Sequence, residues 1–367
     1  MKKIAIITIL DYDNYGNRLQ NYALQEFLKE FNSQVVTLTN IPFDSVFSKR
    51  KKITQKLKKI SIKKIKSKFV DRITNAKYVT YKKERMNNFN EFTLRNIIEE
   101  SYSDSSVQVD QKYDYFVVGS DQIWNPNFRN GNANDFLKFA SVEKRISYAP
   151  SFGISEIPSE YKNEYKTMIE GIPFLSVREN AGQKIIKELT GRESHVLLDP
   201  TLMISAEKWA EVANQSPVKP SKKYLLTYFL GEISAGRNET INNIAKEKKL
   251  EIINISDLNC LEYYSVDPSG FLSLIRSSEI FLTDSFHGVV FSIIFNKNFV
   301  VFEREDGVPS MNSRIDTILS TFNMKKRKWA SMEKEDLWVS DYSESNLILE
   351  KEIQKSRKFM NEALGTQ

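Results

Sequence analysis

The sequence predicts an α/β protein of two Rossmann-like domains whose parallel sheets face a cleft. Three observations carry this expectation. The chain opens as strand, helix and strand in KKIAIITI (2–9), RLQNYALQEFLKEF (18–31) and QVVTLT (34–39), the start of a doubly wound sheet. A second strand series begins at KYLLTYFLG, after a stretch holding Pro, Ser and Lys. Within that second series EIFLTDSFHGVVFSIIFNKNFVVF (279–302) reads as strand, tight turn, buried helix and strand, because residues 289–295 are apolar on every face and so cannot form a surface helix.

Taken in order, the loop LDYDNYGN after the first strand has a single glycine instead of G-x-G-x-x-G, so the dinucleotide fingerprint is absent. Asp11 and Asp13 in it are turn chemistry. Residues 48–69 form a lysine-rich insert in which Ile53, Leu57, Ile60, Ile65 and Phe69 recur near helical spacing. A helix is expected from about Tyr78 to Ile98. YDYFVVGSDQIWNP is strand then loop, and KRISYAPSFGI, PFLSVREN and SHVLLDPTLM supply three more strand-like segments. WAEVANQSPVKPSKK reads as a linker. The series KYLLTYFLG, LEIINIS, EIFLTD and NFVVFE builds the second sheet, and SNLILEKEIQKSRKFMNEAL is a closing helix. The expected organisation is a first domain over 1–215, a second over 216–345, and a helix over 346–367 that packs back on the first.

Composition narrows the function. At 367 residues and 41% hydrophobic content the chain can bury real cores. One cysteine, Cys260, excludes an internal disulfide framework and fits a reducing compartment. The apolar run Ile4–Leu10 is short, ends on Asp11 and has no cleavage site after it, so it is a strand and not a leader. No stretch approaches the ~20 apolar residues of a membrane span. A cytoplasmic protein is expected. The net charge of +6 is local: residues 48–69 hold 11 Lys and Arg and no acid, against 42 basic and 47 acidic residues elsewhere. Such a helix can lie on the anionic inner face of a membrane or pack its apolar stripe on its own domain. It lacks the interleaved aromatics of a nucleic-acid surface, so no nucleic-acid partner is expected. No Cys and His cluster and no G-x-S-x-G occur, and neither a metal nor a resident cofactor is implied.

His287 is one of two histidines, and it falls at the carboxyl end of a strand beside a helix N-terminus. Open α/β sheets bind ligands there, and free N–H groups with the helix dipole favour anions. With Asp284, Ser285 and Gly288 it is placed beside an anion site. The alternative is a helix entry with Asp284 or Ser285 as its cap. The other histidine, His195, reads as a solvated strand start.

Six segments together are similar to the polysaccharide pyruvyl transferase family: GNRLQNYALQ (16–25), VVGSDQIWNP (117–126), SYAPSFG (147–153), LSVRE (175–179), LLDPTLM (197–203) and TDSFHG (283–288). The resemblance implies a GT-B-like fold and transfer of a pyruvyl group from phosphoenolpyruvate to a sugar, closing a cyclic ketal on a cell-surface polysaccharide or its lipid-linked precursor. A donor carrying phosphate and carboxylate needs converging cations and N–H groups. The enol methylene needs a proton, and an imidazole, which ordinarily titrates near 6.5, can deliver it at neutral pH. His287 is therefore the expected general acid. Many family members carry arginine two residues before this histidine; here that residue is Ser285. Arg178, in the family motif LSVRE, is the first expected donor ligand, with Ser285, Gly288 and Arg314 beside it and Arg304 as a further candidate. Asp121 is expected to act on acceptor hydroxyls or to orient a catalytic group. Asn17 and Arg18 are expected on the acceptor side, and Trp124 either stacks on a sugar or sits in the core. The missing arginine keeps two rivals in view: a GT-B nucleotide-sugar glycosyltransferase, and a non-catalytic scaffold of polymer assembly.

Overall fold

The computed structural model describes residues 1–41, 70–102, 105–304 and 312–366; the lysine-rich insert 48–69 lies outside them. Two wholly parallel sheets dominate. The first contains β1 (Lys2–Ile7), β2 (Ser33–Thr39), β3 (Glu99–Ser101), β4 (Tyr115–Val118) and β5 (Arg145–Ser147) in the order β3-β2-β1-β4-β5. Beyond β5 the ladder continues through an isolated parallel bridge, Ile146 to Phe174, to a two-stranded piece of β6 (Ser176–Val177) and β7 (His195–Val196). These last strands are shorter than their sequences suggest. Ser147 Oγ donates to the Ser176 carbonyl at 3.1 Å and Ser176 Oγ to the Ser147 carbonyl at 2.6 Å, so hydroxyls replace part of the backbone ladder. The second sheet holds β8 (Tyr224–Tyr228), β9 (Glu251–Asn254), β10 (Ile280–Thr283) and β11 (Phe299–Val301) in the order β11-β10-β8-β9. Two Rossmann-like parallel sheets facing a cleft make the architecture GT-B-like.

The helices that position the site are α1 (Tyr15–Lys29), α2 (Val70–Asn96), α3 (Asn180–Thr190), α4 (Ala206–Ala213), α5 (Pro268–Ser277), α6 (Phe286–Ile294), α7 (Asn312–Thr321) and α8 (Ser343–Leu364). Among the described residues no helix is long and apolar enough to cross a membrane. The supposed linker starts as helix: Trp209, Val212 and Ala213 of α4 are buried, and Arg276 of α5 donates to the Ala210 carbonyl and to Asn214. Apolar side chains on a helical stripe overrode the loop-like composition that follows them. Helix α8 begins against the second sheet's helices, where Ser345 Oγ donates to the Phe322 carbonyl at 2.9 Å. It ends on the first sheet, where Tyr115 Oη donates to the Leu364 carbonyl at 3.3 Å.

The two sheets share one core. A continuous apolar cluster runs from Ile4 and Ile6 of β1 through α1 to Phe271, Phe281 and Phe291. Tyr15, fully buried, stacks on Phe271 (centroids 4.5 Å, planes 10° apart) and meets Tyr228 edge-on at 5.6 Å. Its hydroxyl donates to the Val266 carbonyl at 3.1 Å and accepts from Arg85 at 2.6 Å. Arg85, reaching over from α2, also donates to the Tyr264 carbonyl and pairs with Asp13. Trp209 makes a second seam, meeting Phe291 at 5.1 Å and Tyr22 at 5.4 Å.

Tyr15→Ala opens this seam and removes one of the hydrogen-bond partners of Arg85, and is expected to cost about 3–5 kcal/mol in a urea titration. Tyr15→Phe, losing only hydrogen bonds, is expected to cost about 1 kcal/mol. Tyr78→Ala, at a side chain 39% exposed, should stay within about 0.5 kcal/mol.

Candidate functional site

The cleft holds a cavity of about 430 Å³ at the carboxyl ends of β1, β4, β8 and β10, where open parallel sheets place their ligands. The first sheet contributes Asp11 and Asn14 from the loop into α1 and Gly16 from its first turn, and Asp121, Gln122 and Arg129 from the segment after β4. The second contributes Tyr228, Asp284, Ser285, Phe286 and His287, with Arg304 after β11 and Arg314 on α7.

Helix α6 forms as the all-round apolar pattern predicts, and each of its residues is buried. Ser285 caps it, its Oγ accepting from the Gly288 amide at 3.3 Å. This cap is why the helix begins where it does, and why serine occupies the place of the expected arginine without opening a gap. Gly288 faces away from the cavity; a Cβ there would lie 2.8 Å from Thr283 Oγ1, so it serves close packing of α6 on β10. Asp284 accepts from the amides of Leu230 at 2.7 Å and Gly231 at 3.1 Å, and so fixes the loop after β8.

His287 is buried and lies on the cavity wall. Its Nε2 is 3.6 Å from Asp199 Oδ2, an ion-pair distance longer than a hydrogen bond. Its Nδ1 edge lies on Gly16, where an added Cβ would come within 2.0 Å of Nδ1. Asp199 is held from several sides. Oδ2 accepts from Arg178 Nη1 at 2.6 Å and Ser120 Oγ at 3.0 Å; Oδ1 accepts from the Thr201 hydroxyl at 2.7 Å and its amide at 3.1 Å. Burial alone would raise the Asp199 carboxyl, but a protonated His287, then Arg178 and Thr201, hold it well below the usual carboxylate range.

Asp121 sits in the left-handed region at φ 63°, a conformation costing a non-glycine residue of order 1 kcal/mol. It accepts from Asn17 Nδ2 at 3.1 Å and lies 3.8 Å from Arg178 Nη2. Burial opposes its charge, but Arg178, His287 and Arg314 lower its titration below the ordinary value. Arg314 is pushed down to about 10, first by burial and then by the neighbouring Arg178 guanidinium. Both guanidinium groups face Phe286, Arg178 at 4.5 Å and Arg314 at 5.6 Å from its ring centre.

His287, Asp121, Ser285 and Arg314 thus share the main cavity. Arg178 does not line it. Its Nη1 is engaged by Asp199 and it borders a neighbouring cavity of about 140 Å³, separated by Phe286, with Arg314 on the wall of both. The guanidinium groups that border the main cavity are Arg129, Arg304 and Arg314; Arg129 is forked onto Asp135 at 2.7 and 2.8 Å. Asn17 and Arg18 lie in the first turn of α1, not in an open loop, and both are fully buried. Arg18 pairs with Glu99 at 2.9 Å, and Asn17 joins the Ile9 carbonyl, the Asp11 amide and Asp121. They brace the loop and do not border the cavity. Trp124 is fully buried, stacked on Phe136 at 5.1 Å, with its indole N–H on the Asp135 carbonyl at 2.9 Å; it is core. Asp199 was not singled out from the sequence. Its only local signal is an acid directly after the strand-like VLL, and apart from Thr201 its partners lie at least 21 residues away along the chain.

The family model described as polysaccharide pyruvyl transferase matches residues 14–306. No curated protein matches the chain. Among solved structures, S. aureus MnaA in a co-structure with UDP is 13% identical, with 98% of this chain and 97% of that one covered and a TM-score of 0.47. UDP-GlcNAc 2-epimerase from Neisseria meningitidis bound to UDP-GlcNAc is 13% identical over 98% and 94%, TM-score 0.42. The wall teichoic acid polymerase TagF, as a variant, is 10% identical over 99% and 89%, TM-score 0.47.

Because the Asp199 carboxyl is lowered on folding, the unfolded chain takes up its proton first as pH falls. The stability it contributes is present above the unfolded value of about 4 and is lost progressively below it. In denaturant titrations between pH 5 and 3, Asp199→Asn is expected to lose stability less steeply than the wild type.

Proposed function

We propose, for a chain that belongs to the polysaccharide pyruvyl transferase family, transfer of the pyruvyl group of phosphoenolpyruvate to two hydroxyls of a sugar in a cell-surface polysaccharide or its lipid-linked precursor. The observation that carries this reading is the pairing of one imidazole with two cations on a single wall: His287 with Arg304 and Arg314 bordering the 430 Å³ cavity.

His287 gives a proton to the methylene carbon of the donor, which becomes the methyl group, and a sugar hydroxyl adds to the neighbouring carbon and releases its own proton. The second hydroxyl then displaces phosphate at that carbon and closes the ketal. The donor's phosphate and carboxylate call for charge-assisted partners, a role we assign to Arg304 and Arg314, whose positions compensate for the serine at residue 285. Asp121, on the opposite side of the cleft and held ionised, is assigned to the acceptor hydroxyls. Arg178 holds the carboxylate beside His287 and reaches the donor only through its neighbours. A lipid-linked acceptor would be met at the inner membrane face through residues 48–69.

Thermal unfolding tests the donor. Phosphoenolpyruvate at one hundred times its dissociation constant is expected to stabilise the protein by about 2.7 kcal/mol, and the protection is expected to vanish in Arg314→Ala. His287→Ala should keep the protection and lose ketal formation, about 10²–10⁴-fold for a lost general acid. Protection by a nucleotide sugar and none by phosphoenolpyruvate would replace this reading with glycosyl transfer; full ketal-forming activity in His287→Ala would remove the histidine from the chemistry.

A further inference from the structure

We propose that Asp199 is a positioning residue that holds His287 by Nε2, and that Nδ1, the ring edge packed on the cavity-lining Gly16, is the nitrogen that delivers the proton. The inference rests on the pyruvyl-transfer reading only for what receives that proton; the placement of the ring stands on geometry.

Three observations support it. The two edges of the imidazole meet different surroundings. Nε2 has no hydrogen-bond partner and points towards Asp199 Oδ2 at 3.6 Å, while Nδ1 lies over Gly16, itself a cavity-lining residue. Asp199 is also immobilised: four donated hydrogen bonds from Arg178, Ser120 and Thr201 engage both of its oxygens. A carboxylate so engaged orients a facing imidazole and favours its protonated form, as an orienting acid does for a catalytic base. Finally, Gly16 has no conformational reason to be glycine, being an ordinary residue of the first turn of α1. What it provides is room: with any side chain the ring could not stay where it is. The other charges around His287 are Asp121, Arg178 and Arg314, and among the described residues only Asp199 lies within ion-pair distance of the ring.

The chain's two histidines make the test direct. Long-range proton–nitrogen NMR spectra of the ring-labelled protein give each imidazole its own signals, and His195→Gln assigns them. In Asp199→Asn the His287 titration midpoint is expected to fall by about one pH unit, since an opposite charge at this range has that effect. The basic limb of the pH–rate profile should move the same way. Gly16→Ala displaces the ring while leaving Asp199 and its partners in place; kcat is expected to fall about a hundredfold, with phosphoenolpyruvate still protecting against thermal unfolding. An unmoved midpoint in Asp199→Asn, or unchanged kcat in folded Gly16→Ala, overturns the proposal. If Asp199→Asn fails to fold, Thr201→Val, which removes one of the bonds holding the carboxylate, should shift the midpoint in the same direction, and no shift there counts against it. The spectra need no substrate, so failure of the donor assignment would appear separately, as a wild-type protein that makes no ketal from phosphoenolpyruvate.

Discussion

A buried helix must find partners for the polar groups it carries, and the structure is arranged around meeting that demand for α1, at every buried polar side chain but the Asn21 amide nitrogen. Asn17, Arg18, Gln20, Asn21 and Gln25 are all fully buried. Gln20 bonds Thr8 and the Ser120 amide. Gln25 bonds Thr37 and both backbone groups of Ile98, and Asn21 accepts from Thr37. These contacts fix β1, β2 and the loop after β4 relative to one another. Three consecutive residues then turn to the cleft: Tyr15 joins the second sheet, Gly16 seats His287 and Asn17 restrains Asp121. An error in the register of this one helix would misplace all three.

The charges in the cleft are arranged in an alternating series. Asp121, Arg178 and Asp199 alternate in sign, His287 follows, and Arg178 and Arg314 both lie against the ring of Phe286. Two guanidinium groups near one aromatic ring offset part of their repulsion through its electron density, yet Arg314 is still lowered, by burial first and then by Arg178. On the proposed function, a donor phosphate or carboxylate beside Arg314 offsets part of that repulsion.

Much of this was legible in the sequence wherever the determinant is local. The apolar period of residues 279–302 gives β10, α6 and β11, and the position of His287 at a strand end places it on the cavity. Locality also explains what was misread. Arg18 and Asn17 look like loop residues with free side chains, because nothing near them in sequence reveals that Glu99 and Asp121 are their partners. Trp124 stands in a polar loop, and only the fold supplies Phe136 beneath it. Arg178 carries a family motif, but its engagement by Asp199 depends on two separate strand ends meeting in space. Asp199 was overlooked for the same reason: an acid before a proline reads as a turn until its arginine and histidine are brought to it.

The core shared between the sheets has a mechanical consequence. Two domains joined by a flexible strap can rock apart to admit a bulky substrate and then clamp it. Here rotation would have to unstack Tyr15 from Phe271, withdraw Arg85 from the Tyr264 carbonyl and pull Trp209 off Phe291 together. Such a body behaves more like a vice already set to its working gap than like a jaw. On the proposed function, the acceptor must fit that gap as it stands, so the width of the cleft sets a limit on its girth.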